Sequence, residues 1–195
     1  MFDKLPISSK TEKILTKSLD EPISAEDANY LINIKGSDLY PLLATADYLR
    51  QEIAGDNVTF INNCNINFTN ICTVRCGFCA FGKDADDPEA YILDDEAILK
   101  KAQGAVDKGA HEFCVMGGVL PDADVEYYEH LLQLLKGEFP NIMIHGFSPT
   151  MIKDASVVSG ISVEDAFERL KSAGLDTLPG TAAEILTDRS REIIC

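Results

Sequence analysis

From about residue 57 onward, short apolar runs alternate with longer stretches of helical periodicity. That alternation constrains the fold more than any other feature of the chain. Asp94 to Lys108 reads as a helix with Ala97, Ile98, Ala102, Ala105 and Val106 inward, stopped by Gly109. Glu112-Phe113-Cys114-Val115-Met116 is a short, nearly continuous apolar run, as expected of a strand buried in a parallel sheet. Asp124 to Gly137 reads as a second helix, with Val125, Tyr128, Leu131, Leu132 and Leu135 on one face. Asn141 to Phe147 reads as a strand, Ser162 caps a helix running to Gly174, and Leu175-Asp176-Thr177-Leu178 reads as a further strand. Strands alternating with helices of about 10–15 residues imply βαβ units and a parallel sheet.

The chain before this region is different. Residues 10–55 read as helical and amphipathic, with Ser24 and Asp27 as a capping box and stops at Gly36 and Gly55. Asn57-Val58-Thr59-Phe60-Ile61 has β character, followed by a polar break at Asn62-Asn63. A second β run follows from Cys64 to Asn70. The expected architecture is a helical N-terminal extension, residues 1–56, beside an α/β core, residues 57–195. The core is expected to be part of a parallel (β/α) barrel.

In such barrels the active site lies at the C-terminal ends of the strands. Each strand here runs into an unusual sequence: a cysteine-rich loop, Met116-Gly117-Gly118, His145-Gly146-Phe147-Ser148-Pro149, and Pro179-Gly180-Thr181-Ala182-Ala183-Glu184. Gly117 and Gly118 lack side chains and let a ligand approach the backbone closely, although glycine is also common in simple turns. His145 is a candidate substrate contact or proton relay, or else a hydrogen-bonded core residue. Ser148 is a candidate cofactor or substrate contact. Glu184 is a candidate partner for a ribose hydroxyl or an ammonium, or simply a carboxylate in the first turn of the next helix.

The cysteine loop carries the chemistry. Cys72-Thr73-Val74-Arg75-Cys76-Gly77-Phe78-Cys79 has the spacing C-x3-C-x2-C. A structural zinc site normally needs four protein ligands in two separated pairs. Three close thiolates suit a [4Fe–4S] cluster better, leaving one iron with an open position for a small molecule. An incidental cysteine cluster or zinc knuckle is the alternative. Formal net charge is −15, which disfavours nucleic-acid backbones. No run approaches the ~18 apolar residues of a membrane span, and Met1 to Pro6 lacks the apolar core of a signal peptide. A cytoplasmic location with reduced thiols is expected. Cys64 and Cys114 then read as core thiols.

Three cysteines at these offsets, with Phe78 before the last, resemble the radical S-adenosylmethionine (SAM) superfamily. The resemblance extends through Ile66-Asn67-Phe68-Thr69-Asn70, Cys79-Ala80-Phe81, Gly117-Gly118-Val119-Leu120-Pro121-Asp122, His145 to Pro149, and Ala173 to Leu186. Together these strings resemble the subfamily of deazaflavin (FO) synthases and the radical SAM enzymes of futalosine-dependent menaquinone synthesis. The string Pro179 to Glu184 resembles the tyrosine-using half of FO synthase.

The resemblance implies a [4Fe–4S] cluster on Cys72, Cys76 and Cys79, with SAM on the open iron. It implies that Gly117 and Gly118 bind the SAM amino group and that Phe78 lies against the adenine. The implied reaction joins the 4-hydroxybenzyl unit of L-tyrosine to 5-amino-6-(D-ribitylamino)uracil. A partner radical SAM subunit would then close the deazaflavin ring. The alternatives are a menaquinone-pathway substrate or a non-catalytic metal-binding fragment. A closed eight-stranded barrel commonly needs about 250 residues. The chain therefore reads as an N-terminal fragment, expected to be inactive by itself.

Overall fold

The computed structural model describes residues 7–74, 76–180 and 187–194. Two compact units, Met1–Phe60 and Ile61–Cys195, divide the chain.

The first unit is helical: α1 (Ser9–Ser18), α2 (Ala25–Ile32), a single 3₁₀ turn (Gly36–Asp38) and α3 (Leu39–Ala54). Ser8 and Ser24 cap α1 and α2 by accepting from the amides of Thr11 and Asp27. Ile14, Leu15 and Leu31 form its small core. Beside them the Asp38 carboxylate accepts from the hydroxyls of Ser8 and Thr11 and from the Ser8 amide. Those bonds, the Ser8 hydroxyl first, hold the Asp38 carboxyl below its ordinary pKa.

The second unit is built on β1 (Asn63–Asn67), β2 (Glu112–Met116) and β3 (Met143–Gly146), parallel and in the order β1-β2-β3. Helices α4 (Asp95–Val106), α5 (Val125–Glu138), α6 (Pro149–Ser159) and α7 (Val163–Ala173) follow the strands, and α8 (Asp188–Ile194) lies after them. The caps are legible in the sequence. Asp94, Asp124 and Ser162 each accept from the third helical amide, and Gly174 ends α7 at φ 116, a value that favours glycine.

Alternate strand residues go to opposite faces. Ile66, Phe113, Val115 and Ile144 bury one face against Ile98, Ala102, Leu131, Leu132, Leu135 and Ile152 of the helices. Parallel strands put every strand's C-terminal end on one edge, so the three strand-end motifs share a rim. The architecture is a partial parallel (β/α) barrel.

Three details differ from the expectation. The run Asn57 to Ile61 is not a strand; Val58 and Phe60 are 91% and 87% exposed and pair with nothing in a sheet. β propensity without a partner strand does not make a strand. Helix α6 has no counterpart in the pattern reading. Yet Ser148 caps it, Pro149 occupies its first turn and Gly160 ends it in the left-handed region. Finally, Leu175 to Leu178 forms one bridge, Thr177 to His145, and not a full strand. The amides of Asp176 and Thr177 both reach the Ile144 carbonyl, which breaks the ladder's spacing there.

Asp176 locks this edge. Its carboxylate accepts from the Ile144 amide at 2.8 Å and from Lys136 Nζ at 2.8 Å. Burial pushes its pKa up, but the Lys136 hydrogen bond, the Ile144 amide and the Lys136 charge outweigh it and leave the pKa lowered. A lowered folded pKa stabilises above the unfolded value of about 3.9 and is lost as pH falls through the folded one. Asp176→Asn is therefore expected to cost no more than about 1 kcal/mol at neutral pH, because the pair is partly exposed. The difference in Tm between the two proteins should shrink below about pH 4; a pH-independent difference would contradict this role.

Candidate active-site rim

β1 runs into Phe68, and the segment that returns to the sheet is clamped to it at its base. Thr69 Oγ1 donates to the Tyr91 carbonyl at 2.7 Å. The Asn70 amide group donates to the Glu89 carbonyl and accepts from the Tyr91 amide. Both residues are buried and fully engaged, so the loop 71–90 leaves the sheet at a fixed point. The sequence reading missed this clamp. A Thr-Asn pair closing a strand was its only signal.

Within the loop, Cys72 N donates to Lys83 O, Cys79 N to Cys76 O, and Gly77 N to Ile194 O of α8. The neighbouring strand end meets the loop directly. Thr73 donates from both its amide and its hydroxyl to Val119 O, and Gly118 N donates to Thr69 O. A Cβ on Gly118 would stand 2.0 Å from Ile71 O and 2.8 Å from Cys72 Cβ. A Cβ on Gly117 would stand 2.9 Å from the Phe68 ring. Gly118 is thus the floor on which the cysteine loop sits, and Gly117 packs on the Phe68 ring beside it.

Phe68 cannot yield to them. It is fully buried and meets Tyr127, Tyr128 and Phe147 at ring-centroid distances of 6.1, 6.2 and 6.3 Å. Phe147 completes this group with φ 64, a strained backbone for an aromatic residue. That kink turns the chain from β3 into the Ser148 cap of α6.

The proposed site residues fall as follows. Cys72 and Cys76 are partly buried, Cys79 is exposed, and none of the five described cysteines is in a disulfide. Among the described residues, no three His, Cys, Asp or Glu side chains stand close enough around one point to hold a metal ion. The donor set nevertheless fits an iron–sulfur cluster. Three thiols lie in one loop without helix or strand, and that loop is packed tightly on Gly118, where any side chain would collide with Ile71 and Cys72. Holding a cluster requires those thiols to converge by local rotation.

Phe78, 59% exposed, stands at the loop's tip. Ser148 is buried, and its hydroxyl accepts from the Met151 amide as a helix cap. Glu184 lies outside the described residues. His145 Nδ1 and Thr177 Oγ1 are 2.7 Å apart. Cys114 does not join Cys64 against the helical core. It faces the other side of the sheet, level with His145, and burial, then the Glu112 charge, pushes its thiol pKa up.

The model of the Radical SAM superfamily matches residues 66–194. A protein of Methanothermobacter thermautotrophicus, named 5-amino-6-(D-ribitylamino)uracil–L-tyrosine 4-hydroxyphenyl transferase, is 48% identical over 189 residues, covering 97% of this chain and 52% of the relative. A protein of the same name from Methanopyrus kandleri is 45% identical over 158 residues, covering 81% of this chain and 43% of the relative. The chain spans about half the length of these relatives.

Among solved structures, HydG, a maturase of the [FeFe]-hydrogenase, aligns with TM-score 0.64 at 18% identity, covering 87% of this chain and 36% of that one. Methylornithine synthase (PylB) aligns with TM-score 0.56 at 20% identity, covering 95% of this chain and 62% of that one. These two bear on the fold alone. The superfamily's cofactors are a [4Fe–4S] cluster and SAM. With its cysteine loop seated on the glycine floor of a partial parallel barrel, the chain belongs to the radical SAM superfamily.

Proposed function

We propose that this chain supplies the cluster-bearing rim of a 5-amino-6-(D-ribitylamino)uracil–L-tyrosine 4-hydroxyphenyl transferase. The observation that carries the reading is the 48% identity over 97% of the chain to a relative of that name. Cys72, Cys76 and Cys79 would hold the cluster. When bound, the reduced cluster and SAM supply the 5′-deoxyadenosyl radical that starts the reaction on tyrosine.

The chain's own residues position and shield. Gly117 and Gly118 are the candidates for the SAM amino group, and Gly118 holds the cysteine loop close against the strand end. Phe78 offers a ring face to the adenine. Glu184, the last residue of the fourth motif, is the candidate for the ribose. Ser148 acts through its cap, fixing the turn that brings Phe147 under the rim. The apolar layer of Phe68, Phe147 and Tyr128 backs the site and keeps water from its underside. No helix among the described residues is long and apolar enough to cross a membrane.

The test is a chimera in which this chain replaces the matching half of the Methanothermobacter thermautotrophicus relative. Assayed anaerobically with SAM, reductant, tyrosine and the ribitylaminouracil, it should form the coupled product within about tenfold of the parent's rate, or about 1.4 kcal/mol in barrier. SAM cleavage that ignores tyrosine, or turnover of a futalosine-pathway substrate instead, would contradict the reading.

A further inference from the structure

One face of the sheet carries hydrogen-bonding side chains that none of the preceding roles uses. In β1, Ile66 is buried against the helices, so Asn63, Asn65 and Asn67 all project to the opposite face. The register sets their neighbours. Asn65 pairs with Cys114, Cys114 with His145, and His145 bridges to Thr177. Nearer the rim, Asn67 pairs with Met116. Two levels of the open face therefore present Asn65, Cys114, His145, Thr177, Asn67 and Met116.

The asparagines are costly where they stand. Asparagine is depleted in strands, and β1 has three in five residues. Asn63 recovers a bond by donating to Glu112 at 3.4 Å. Among the described residues, the side-chain amides of Asn65 and Asn67 make no hydrogen bond. Local rules broken without structural return are expected at functional positions.

The chemistry of the two levels is specific. A primary amide offers one acceptor and a two-hydrogen donor side by side, matching an N–H/C=O edge in two bonds, as asparagine does with base edges. His145 is held through Nδ1 by Thr177, which leaves Nε2 for a ligand. Neither level contains Asp, Glu, Lys or Arg; Glu112 is one level lower and is bonded to Asn63. A zwitterionic amino acid would need counter-charges. A neutral heterocycle with alternating N–H and C=O groups needs only what these levels provide.

Resting on the function proposed above, we infer that Asn65 and Asn67, on the same sheet face as the His145–Thr177 pair and across β2 from it, form the subsite for the pyrimidinedione acceptor and not for tyrosine. Asn67 ends β1 and the cluster loop follows it, so a ring held here lies beside the rim.

The experiment measures equilibrium binding of 5-amino-6-(D-ribitylamino)uracil and of L-tyrosine separately, by anaerobic calorimetry, to the SAM-loaded chimera. Asn65→Asp and Asn67→Ala should each weaken uracil binding about tenfold or more and leave tyrosine within about twofold, tenfold being about 1.4 kcal/mol. SAM cleavage driven by tyrosine alone should persist. Asn67→Gln, which keeps the amide, should recover part of the affinity; with iron content and circular dichroism it separates a binding loss from misfolding. Weakened tyrosine binding with uracil unchanged overturns the inference. So does no change in either, or no uracil binding by the unsubstituted protein. If uracil binds and the substitutions weaken it while no coupled product forms, the subsite stands and the proposed reaction fails.

Discussion

Gly118→Ala is expected to unseat the cysteine loop. The added methyl would lie 2.0 Å from the Ile71 carbonyl oxygen and 2.5 Å from its carbon, both backbone atoms with little freedom to move. Ile71 is tied through its amide to Thr69 Oγ1, and Thr69 is buried beneath it. The loop cannot slide away without breaking the bonds from Gly118 N to Thr69 O and from Thr73 N to Val119 O. A loss of about 3 kcal/mol or more, the upper end of overpacking costs, should follow in denaturant unfolding. Cluster uptake should fall with it. Gly104→Ala is the control. Gly104 lies inside α4 with nothing within 4 Å of the added carbon, so that substitution should stabilise by up to about 1 kcal/mol. Equal behaviour of the two variants would mean that the loop does not rest on Gly118.

The second large effect concerns the ligands. Cys72→Ala, Cys76→Ala or Cys79→Ala should each abolish stable iron retention, because only two loop thiolates then remain for four irons. Cys64→Ala and Cys114→Ala should retain it. Cys64 packs against the helical core, and Cys114 faces the open side of the sheet with its pKa raised by burial. Iron analysis after anaerobic reconstitution and desalting gives the comparison. Retention of iron by any of the three loop variants would reassign that cysteine.

Much of this was legible in the sequence because the signals were local. Asp94, Asp124 and Ser162 announce their helices through side chains that reach the third helical amide. Phe113 and Val115 announce a buried strand by being apolar on the helical face. The cysteine spacing is a statement about one loop.

What could not be read depends on partners distant in the chain. Val58 and Phe60 have the propensity for a strand, but pairing decides and they have none. The Leu175 to Leu178 segment has the pattern of a strand, but the amides of Asp176 and Thr177 converge on the single carbonyl of Ile144. Helix α6 was hidden because Ser148 and Pro149 read as a strand-end motif, although the same two residues are a cap and a first-turn proline. Asn65 and Asn67 fit the alternation of a strand, which hides their cost in the sequence. It becomes visible only when the register sets them level with His145, Thr177 and Met116.

Everything proposed for the rim depends on Cys72, Cys76 and Cys79 holding a four-iron cluster with one iron left for SAM. The most direct test is electron paramagnetic resonance of the anaerobically reconstituted, dithionite-reduced chain, with iron counted in the same sample. About four irons per chain are expected, with a reduced-cluster spectrum that changes when SAM is added. Stoichiometric zinc without iron, or a four-iron spectrum indifferent to SAM, would contradict it.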